Sequence, residues 1–260
     1  MLLFFDIDGT LIDLKTHLLP ESALRSLRSA HEKGHLLFLN TGRTPCFVDE
    51  RLYQLPFDGM VCGCGTYVTL HGHVLLEREL SREQALEAVS VFRSFQLPCA
   101  YEGDRKISFD DALPVNEELC YIREDARRHG LEGNTSDADF TFTKFYAYAR
   151  DPGVMKALEE RLHGAFTCIG RGGKYGAWEG VPTGFSKATG MDLILKHTGF
   201  TLRDCIAFGD SNNDLPMLRH AGTSVCMGHA PEDVKEACTH VTGKVMEDGI
   251  ELALKSLSLI

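Results

Sequence analysis

A single tryptophan stands in 260 residues, and no apolar stretch approaches the ~20 residues that a membrane-spanning helix needs. A membrane role is not expected. Positive charge is also scarce: 27 Lys and Arg against 37 Asp and Glu give a formal net charge of −10. That balance disfavours general nucleic-acid binding but permits a local cationic pocket for an anionic small molecule. The opening MLLFF has no basic flank, and Asp6 ends the apolar run too early for a secretory signal. Paired cysteine motifs are lacking as well. The nine cysteines are scattered and odd in number, and the one close pair, Cys62 and Cys64, is a poor zinc signature by itself. Reduced thiols in a cytoplasmic chain are the expectation.

What is present is a strand–helix alternation. LLFFDI is a short apolar run, and PESALRSLRSAHEKG then places Ala23, Leu24, Leu27 and Ala30 on one helical face, with Gly34 as a stop. HLLFLNT predicts a second strand, followed by a helix near 44–55. GMVCGCG predicts a third strand, and YVTLHGHVLLERE a hairpin turning at His71-Gly72. Apolar strands joined through helices point to a parallel sheet covered on both faces. The middle of the chain differs. Helices near 81–96, 114–129 and 152–163 separate short strands, and the one at 140–149 alternates aromatic and polar residues, as in a sheet with one open face. After GVPTG the first pattern resumes: helix 185–199, strand CIAFGD, helix 213–221, strand TSVCMG and helix 230–238. The expected fold is therefore α/β: a doubly wound parallel-sheet core over 1–81 and 183–260, interrupted by an α+β domain over 82–182.

In such sheets ligands bind at the carboxyl ends of the strands. Asp6 and Asp8 follow the first strand, and Thr41, Gly42 and Arg43 of NTGR the second. Asp210, Asn213 and Asp214 of DSNND follow the strand CIAFG, and Lys187 opens the helix after the insert. Asp6 and Asp8, two apart on an extended chain, point the same way at roughly 6–7 Å. Carboxylates this crowded need a counter-ion, and an all-oxygen donor set with room for water and phosphate suits Mg²⁺. Each segment alone has a plain structural reading. D-x-D can end any strand, Thr-Gly is an ordinary turn, and Asn213 can cap a helix. Their joint placement at strand ends is what points to a site.

DIDGTLID, LNTGR, GFSKATGM and AFGDSNNDLPML resemble, in order, the four motifs of the haloacid dehalogenase superfamily of phosphohydrolases. The insert's position and the tail SVCMGHAPEDVKEACTHVTGKVMEDGI resemble the Cof-like subfamily with a type II cap. The resemblance covers 1–80 and 182–260 and is weak within the cap. It implies that Asp6 is a nucleophile forming an aspartyl-phosphate and that Asp8 is a general acid, then base. It implies that Thr41, with Gly42 and Arg43, binds the phosphoryl group, and that Lys187 pairs with that group and with Asp6. Asp6, the backbone carbonyl of Asp8 and Asp210 would hold Mg²⁺, with Asp214 supporting the metal or Lys187, and Asn213 would contact phosphate. The chain departs from the pattern at Cys64, Ala188, Ser211 and His229, where Asn, Gly, Gly and Asn are usual.

The expected activity is Mg²⁺-dependent hydrolysis of the phosphate monoester of a small metabolite, a sugar phosphate or a phosphorylated cofactor. A phosphomutase and a phospho-accepting signalling module share parts of this chemistry, although a receiver needs no 100-residue insert. Asp8 argues against dehalogenation, which lacks an acid there. The partner is thus a small phosphorylated metabolite, with neither nucleic acid nor membrane, and the chain a monomer or weak homodimer. Within the cap, Arg171, Lys174 and Trp178 of IGRGGKYGAWEG are the best candidates to face a substrate, against a plain hairpin with solvated cations.

Overall fold

The computed structural model describes residues 1–170 and 176–260. Along the chain the strands are β1 (Leu2–Phe5), β2 (Leu36–Asn40), β3 (Gly59–Cys62), β4 (Tyr67–Leu70), β5 (His73–Glu77), β6 (Cys99–Glu102), β7 (Ile107–Phe109), β8 (Glu132–Asn134), β9 (Lys144–Tyr148), β10 (Phe166–Gly170), β11 (Ala177–Pro182), β12 (Cys205–Gly209), β13 (Thr223–Cys226) and β14 (His240–Val241). The helices are α1 (Glu21–Glu32), α2 (Arg82–Ser94), α3 (Glu117–Arg128), α4 (Pro152–Arg161), α5 (Lys187–Thr198), α6 (Leu215–His220), α7 (Glu232–Glu236) and α8 (Gly249–Ser256). Among the described residues no helix is long and apolar enough to cross a membrane. The chain divides into two compact units, Met1–Gly42 with Val48–Leu76 and Ser186–Ile260, and Arg43–Phe47 with Glu77–Phe185. The second unit takes in Arg43–Phe47, which the sequence reading left in the core.

The first unit is built on a sheet ordered β14-β13-β12-β1-β2-β3-β4-β5. Strands from β14 to β3 are parallel, and β4 turns back antiparallel to β3. β1 is its centre because all four of its residues are buried, with alternate side chains feeding opposite faces. Leu3 and Phe5 join a cluster with α1 and α8, whereas Leu2 and Phe4 join one with α5, α6 and α7. Phe5 stacks on Phe208 of β12 at 4.5 Å and Phe4 on Phe38 of β2 at 4.9 Å, which pins the register of three strands. The chain leaves β1 for β2 on one side and reaches β12 on the other, so the carboxyl end of β1 is the switch point where such sheets bind ligands.

The second unit is a six-stranded sheet ordered β10-β11-β9-β6-β7-β8, antiparallel except where β7 pairs with β8. One face packs Phe92 of α2 and Met155 and Leu158 of α4 against Tyr101, Phe142, Phe145 and Phe166. The other face is partly covered: α3 packs Leu119 and Ala126 on Ala100, Ile107 and Phe109. Beside that patch Lys144 Nζ lies 2.9 Å from Glu102 Oε2 and also pairs with Glu179, forming a polar row across three strands.

The expected helix near 44–55 is instead two short 3₁₀ turns, Pro45–Phe47 and Glu50–Gln54. Asp49 starts the second by accepting from Arg51 N, and Leu55, ahead of Pro56, is extended and ends it. The expected strand 140–149 shortens to β9, because Phe140 N closes a turn onto Asp137 O at 3.1 Å. Trp178 packs inward against the core of the second unit and donates Nε1–H to Ala149 O at 3.2 Å. Its ring and its donor are thus engaged within that unit. Arg171 and Lys174 lie outside the described residues.

Candidate active site

The first unit gathers its polar side chains at the carboxyl edge of the parallel strands. Asp6 N continues the ladder to Phe208 O at 3.0 Å, so the strand geometry delivers the Asp6 side chain at the switch point. The next six residues fold tightly: Leu11 N and Ile12 N both reach Ile7 O, and Gly9 N reaches Ile12 O at 2.8 Å. Gly9 takes φ +87°, and a Cβ there would sit 2.3 Å from Asp210 Oδ2. Only glycine lets the β1 and β12 loops approach this closely.

Lys187 is the first residue of α5. Ser186 caps that helix, accepting from Thr189 N at 3.3 Å while Thr189 Oγ1 accepts from Ser186 N at 3.0 Å. Asn40, at the end of β2 and fully buried, donates Nδ2–H to Lys187 O at 3.0 Å. The fully buried Lys187 Nζ donates to Asp6 Oδ1 and to Asp214 Oδ1, both at 2.5 Å. Burial alone would lower the lysine's pKa, but Asp214 and then Asp6 outweigh it and hold the ammonium above its usual range.

Asp214 ties the β12 loop together. Its Oδ2 accepts from Asp210 N and Ser211 N, each at 2.9 Å, while Oδ1 takes Lys187. Both its oxygens are therefore engaged by protein donors. Asn213 Oδ1 accepts from Ser211 Oγ at 2.9 Å inside the same turn. Asp210 receives Thr10 Oγ1 on Oδ1 at 3.4 Å and faces His229 Nε2 from Oδ2 at 3.3 Å. Thr41 is buried, donates its N–H to Val61 O at 2.8 Å and accepts Cys64 N at 3.0 Å. Gly42 beside it is buried and Asp8 half-buried. In the second unit, Arg43 donates to Phe47 O at 2.9 Å and lies over the Phe47 ring at 5.9 Å.

Ligand atoms of Asp6, Asp210 and Asp214 lie within 4.8 Å of one another, all buried. The Asp8 carboxylate is not in this triad. Burial first, then Asp214, pushes the Asp6 carboxyl well above its ordinary range, despite Lys187. Burial also raises Asp210, partly offset by the His229 contact. Three carboxylates around one ammonium leave an excess of negative charge in a poorly solvated place. Oxygen-only donors and that excess fit a hard divalent cation such as Mg²⁺. Asn40, Thr10 and His229 are the contributors that motif reading passed over. Asn40 lies inside NTGR, just before the Thr41 hydroxyl, and Thr10 lies inside DGT. In the sequence His229 stands out only as a departure from the family pattern.

A family model described as haloacid dehalogenase-like hydrolase matches residues 3–254. The Bacillus subtilis (strain 168) protein YkrA, whose name assigns it provisionally to the phosphatases, is 31% identical over 270 residues covering 100% of this chain and 98% of its own. An HMP-PP phosphatase of Shigella boydii serotype 4 is 26% identical, over 91% of each chain. Among solved structures, a subclass IIB sugar phosphatase of the same superfamily superposes with TM-score 0.84 at 28% identity, covering 100% of this chain and 99% of its own.

Proposed function

We propose that this chain, which belongs to the haloacid dehalogenase-like hydrolases and is a phosphoric monoester hydrolase, removes phosphate from a small phosphorylated metabolite through an Mg²⁺-dependent aspartyl-phosphate route. The observation that carries this reading is the buried Lys187 ammonium shared between Asp6 and Asp214, with Asp210 completing the carboxylate triad. Asp6, Asp210 and the backbone carbonyl of Asp8 would hold the cation. When bound, the cation supplies positive charge that lets a carboxylate approach a phosphate dianion.

Asp6 attacks phosphorus through a carboxylate oxygen, and the phosphorus–ester oxygen bond breaks. Asp8 gives its proton to the departing alkoxide. Lys187 neutralises part of the charge on Asp6 and on the transferring group. Thr41 and Gly42 line the phosphoryl position at the end of β2, with Asn213 contributing from the β12 loop. Arg43 belongs to the second unit, and its guanidinium is engaged with Phe47 there. In the second half Asp8, now ionised, takes a proton from water as the water oxygen attacks phosphorus. Asp6 leaves as a carboxylate and orthophosphate is released. Asp214 acts mainly by fixing Lys187 and the 210–211 backbone, since both of its oxygens already have donors.

A sugar phosphate and a phosphorylated cofactor are the favoured substrate classes, because relatives bear the names sugar phosphatase and HMP-PP phosphatase. Steady-state release of orthophosphate from p-nitrophenyl phosphate, with Mg²⁺ and in excess chelator, tests the reading. Many turnovers per chain, abolished by chelation, are expected. A single stoichiometric burst would make the chain a phospho-acceptor, and full activity in chelator would remove the cation.

A further inference from the structure

We propose that His229 is a positioning residue for Asp210, holding one carboxylate oxygen so that the group meets a divalent cation in a single orientation. The inference rests on the metal reading above. An aspartate carboxylate rotates broadly about its last bond, so an unrestrained one presents either oxygen and loses affinity by doing so. Asp210 is restrained from three sides. Its Oδ2 packs against the bare Cα of Gly9, its Oδ1 takes the Thr10 hydroxyl at 3.4 Å, and His229 Nε2 stands 3.3 Å from Oδ2.

The histidine is held by backbone rather than by a long side chain. Met227 N donates to Gly209 O at 3.0 Å, tying the loop after β13 to the residue before Asp210. Ala230 N closes a turn onto Met227 O at 2.9 Å, and Gly228 N reaches Gly243 O at 3.1 Å. His229 sits inside that turn, so its distance from Asp210 is fixed by two paired strands. An N–H donor at Nε2 suffices for the contact. His229 does not belong to the group of side chains whose ligand atoms converge, which argues for restraint of a ligand rather than ligation. Partners that orient a ligand in this way typically change metal affinity by about 10–100-fold when removed.

The test is a titration of the full-length, chelator-treated protein with Mn²⁺, reading free ion by electron paramagnetic resonance, with Mg²⁺ as competitor. His229→Ala and His229→Leu should bind about 10-fold more weakly than wild type, whereas His229→Gln, which keeps an N–H donor, should recover most of the loss. Metal-free thermal unfolding should stay cooperative in all three variants, with a small loss of Tm in Ala and Leu from the missing Asp210 contact that Gln recovers. Unchanged affinity in both the Ala and Leu variants overturns the inference while leaving the metal reading intact. A wild-type chain that binds neither ion overturns both. Failure of Gln to rescue, together with nitrogen coupling to Mn²⁺ in the wild type, makes His229 a direct ligand and overturns the positioning role.

Discussion

Lys187 Nζ lies 2.5 Å from Asp6 Oδ1, and both groups are almost wholly removed from water. Neither would be tolerated there alone. A buried charge without a partner is strongly unfavourable, whereas this pair is joined by a second carboxylate, Asp214, at the same distance. The lysine thus stabilises the fold of the β1 and β12 loops as well as the carboxylate proposed as the nucleophile.

Lys187→Met should separate those two contributions. Activity toward an aryl phosphate should fall by about 10²–10³-fold, the usual effect of removing a positioned group that balances developing charge. Stability should fall by about 3–5 kcal/mol at neutral pH, because Asp6 and Asp214 remain buried without their cation. At acidic pH the loss should shrink, since the carboxylates can then take up protons. Urea unfolding at pH 5 and pH 8, alongside steady-state rates, measures both. An equal loss of stability at both pH values would contradict the charge argument.

The stabilisation given by Mg²⁺ should grow with pH. Asp6 and Asp210 are both held above the ordinary carboxylate range, Asp6 by burial and then Asp214, and Asp210 chiefly by burial. A carboxyl whose folded pKa is raised adds stability below its unfolded pKa, and that stability is lost as pH rises through the folded value. The metal-free protein should therefore lose the contribution of these two groups on going from about pH 4 upward. Cation binding needs the ionised forms, so protons compete with it at low pH. The rise in Tm at saturating Mg²⁺ should accordingly be larger at pH 8 than at pH 5.5. A rise that is the same at both would mean that these carboxyls do not take part.

Asn40→Leu tests a residue that acts through another. Its amide donates to Lys187 O, and the substitution removes that buried hydrogen bond to the first turn of α5. The expected loss of stability is about 1 kcal/mol, the net contribution of one hydrogen bond. Because the N-terminus of α5 is also freed, kcat should fall more than KM rises. A stability loss with kcat unchanged would make Asn40 a purely structural residue.

The sequence made the site legible wherever a charged or hydroxylated residue follows a buried strand. Asp6, Thr41 and Asp210 were found this way because β1, β2 and β12 are fully or nearly fully apolar and end abruptly in polar residues. α1 was legible for a related reason: Ala23, Leu27 and Ala30 fall at helical spacing and are buried. What stayed hidden depends on contacts between residues far apart in the chain. His229 and Asp210 are brought together by two neighbouring strands, and Asn40 meets Lys187 across 147 positions. No local pattern encodes either pairing. β8 and β14 were missed because strands of three and two residues carry no alternation to read. α8 carries a signal in Ile250, Ala253 and Leu254, but at eight residues it spans barely two turns, too few for helical spacing to stand out.

Asp6 and Asp8 should fail differently when each loses its charge, and this bears most directly on the proposed route. Asp6 is buried against Lys187, where a carboxylate oxygen can bond to phosphorus, while Asp8 is half-buried two residues on. Asp6→Asn should form no phosphoenzyme and show no turnover above background. Asp8→Asn should lose proton transfer, worth typically ~10²–10⁴-fold, but not equally in both steps. An aryl phosphate has a good leaving group that needs little acid assistance, so phosphorus should still reach Asp6. Water attack on the resulting acyl phosphate needs a base, so the second step should slow and covalent phosphate should accumulate. Radiolabel from an aryl phosphate that survives acid denaturation and is released by hydroxylamine identifies that species. Label in Asp8→Asn and none in Asp6→Asn is the expected pair of results. Continued turnover by Asp6→Asn, or label recovered on a histidine or serine, would place the nucleophile elsewhere and remove the chemistry assigned to the end of β1.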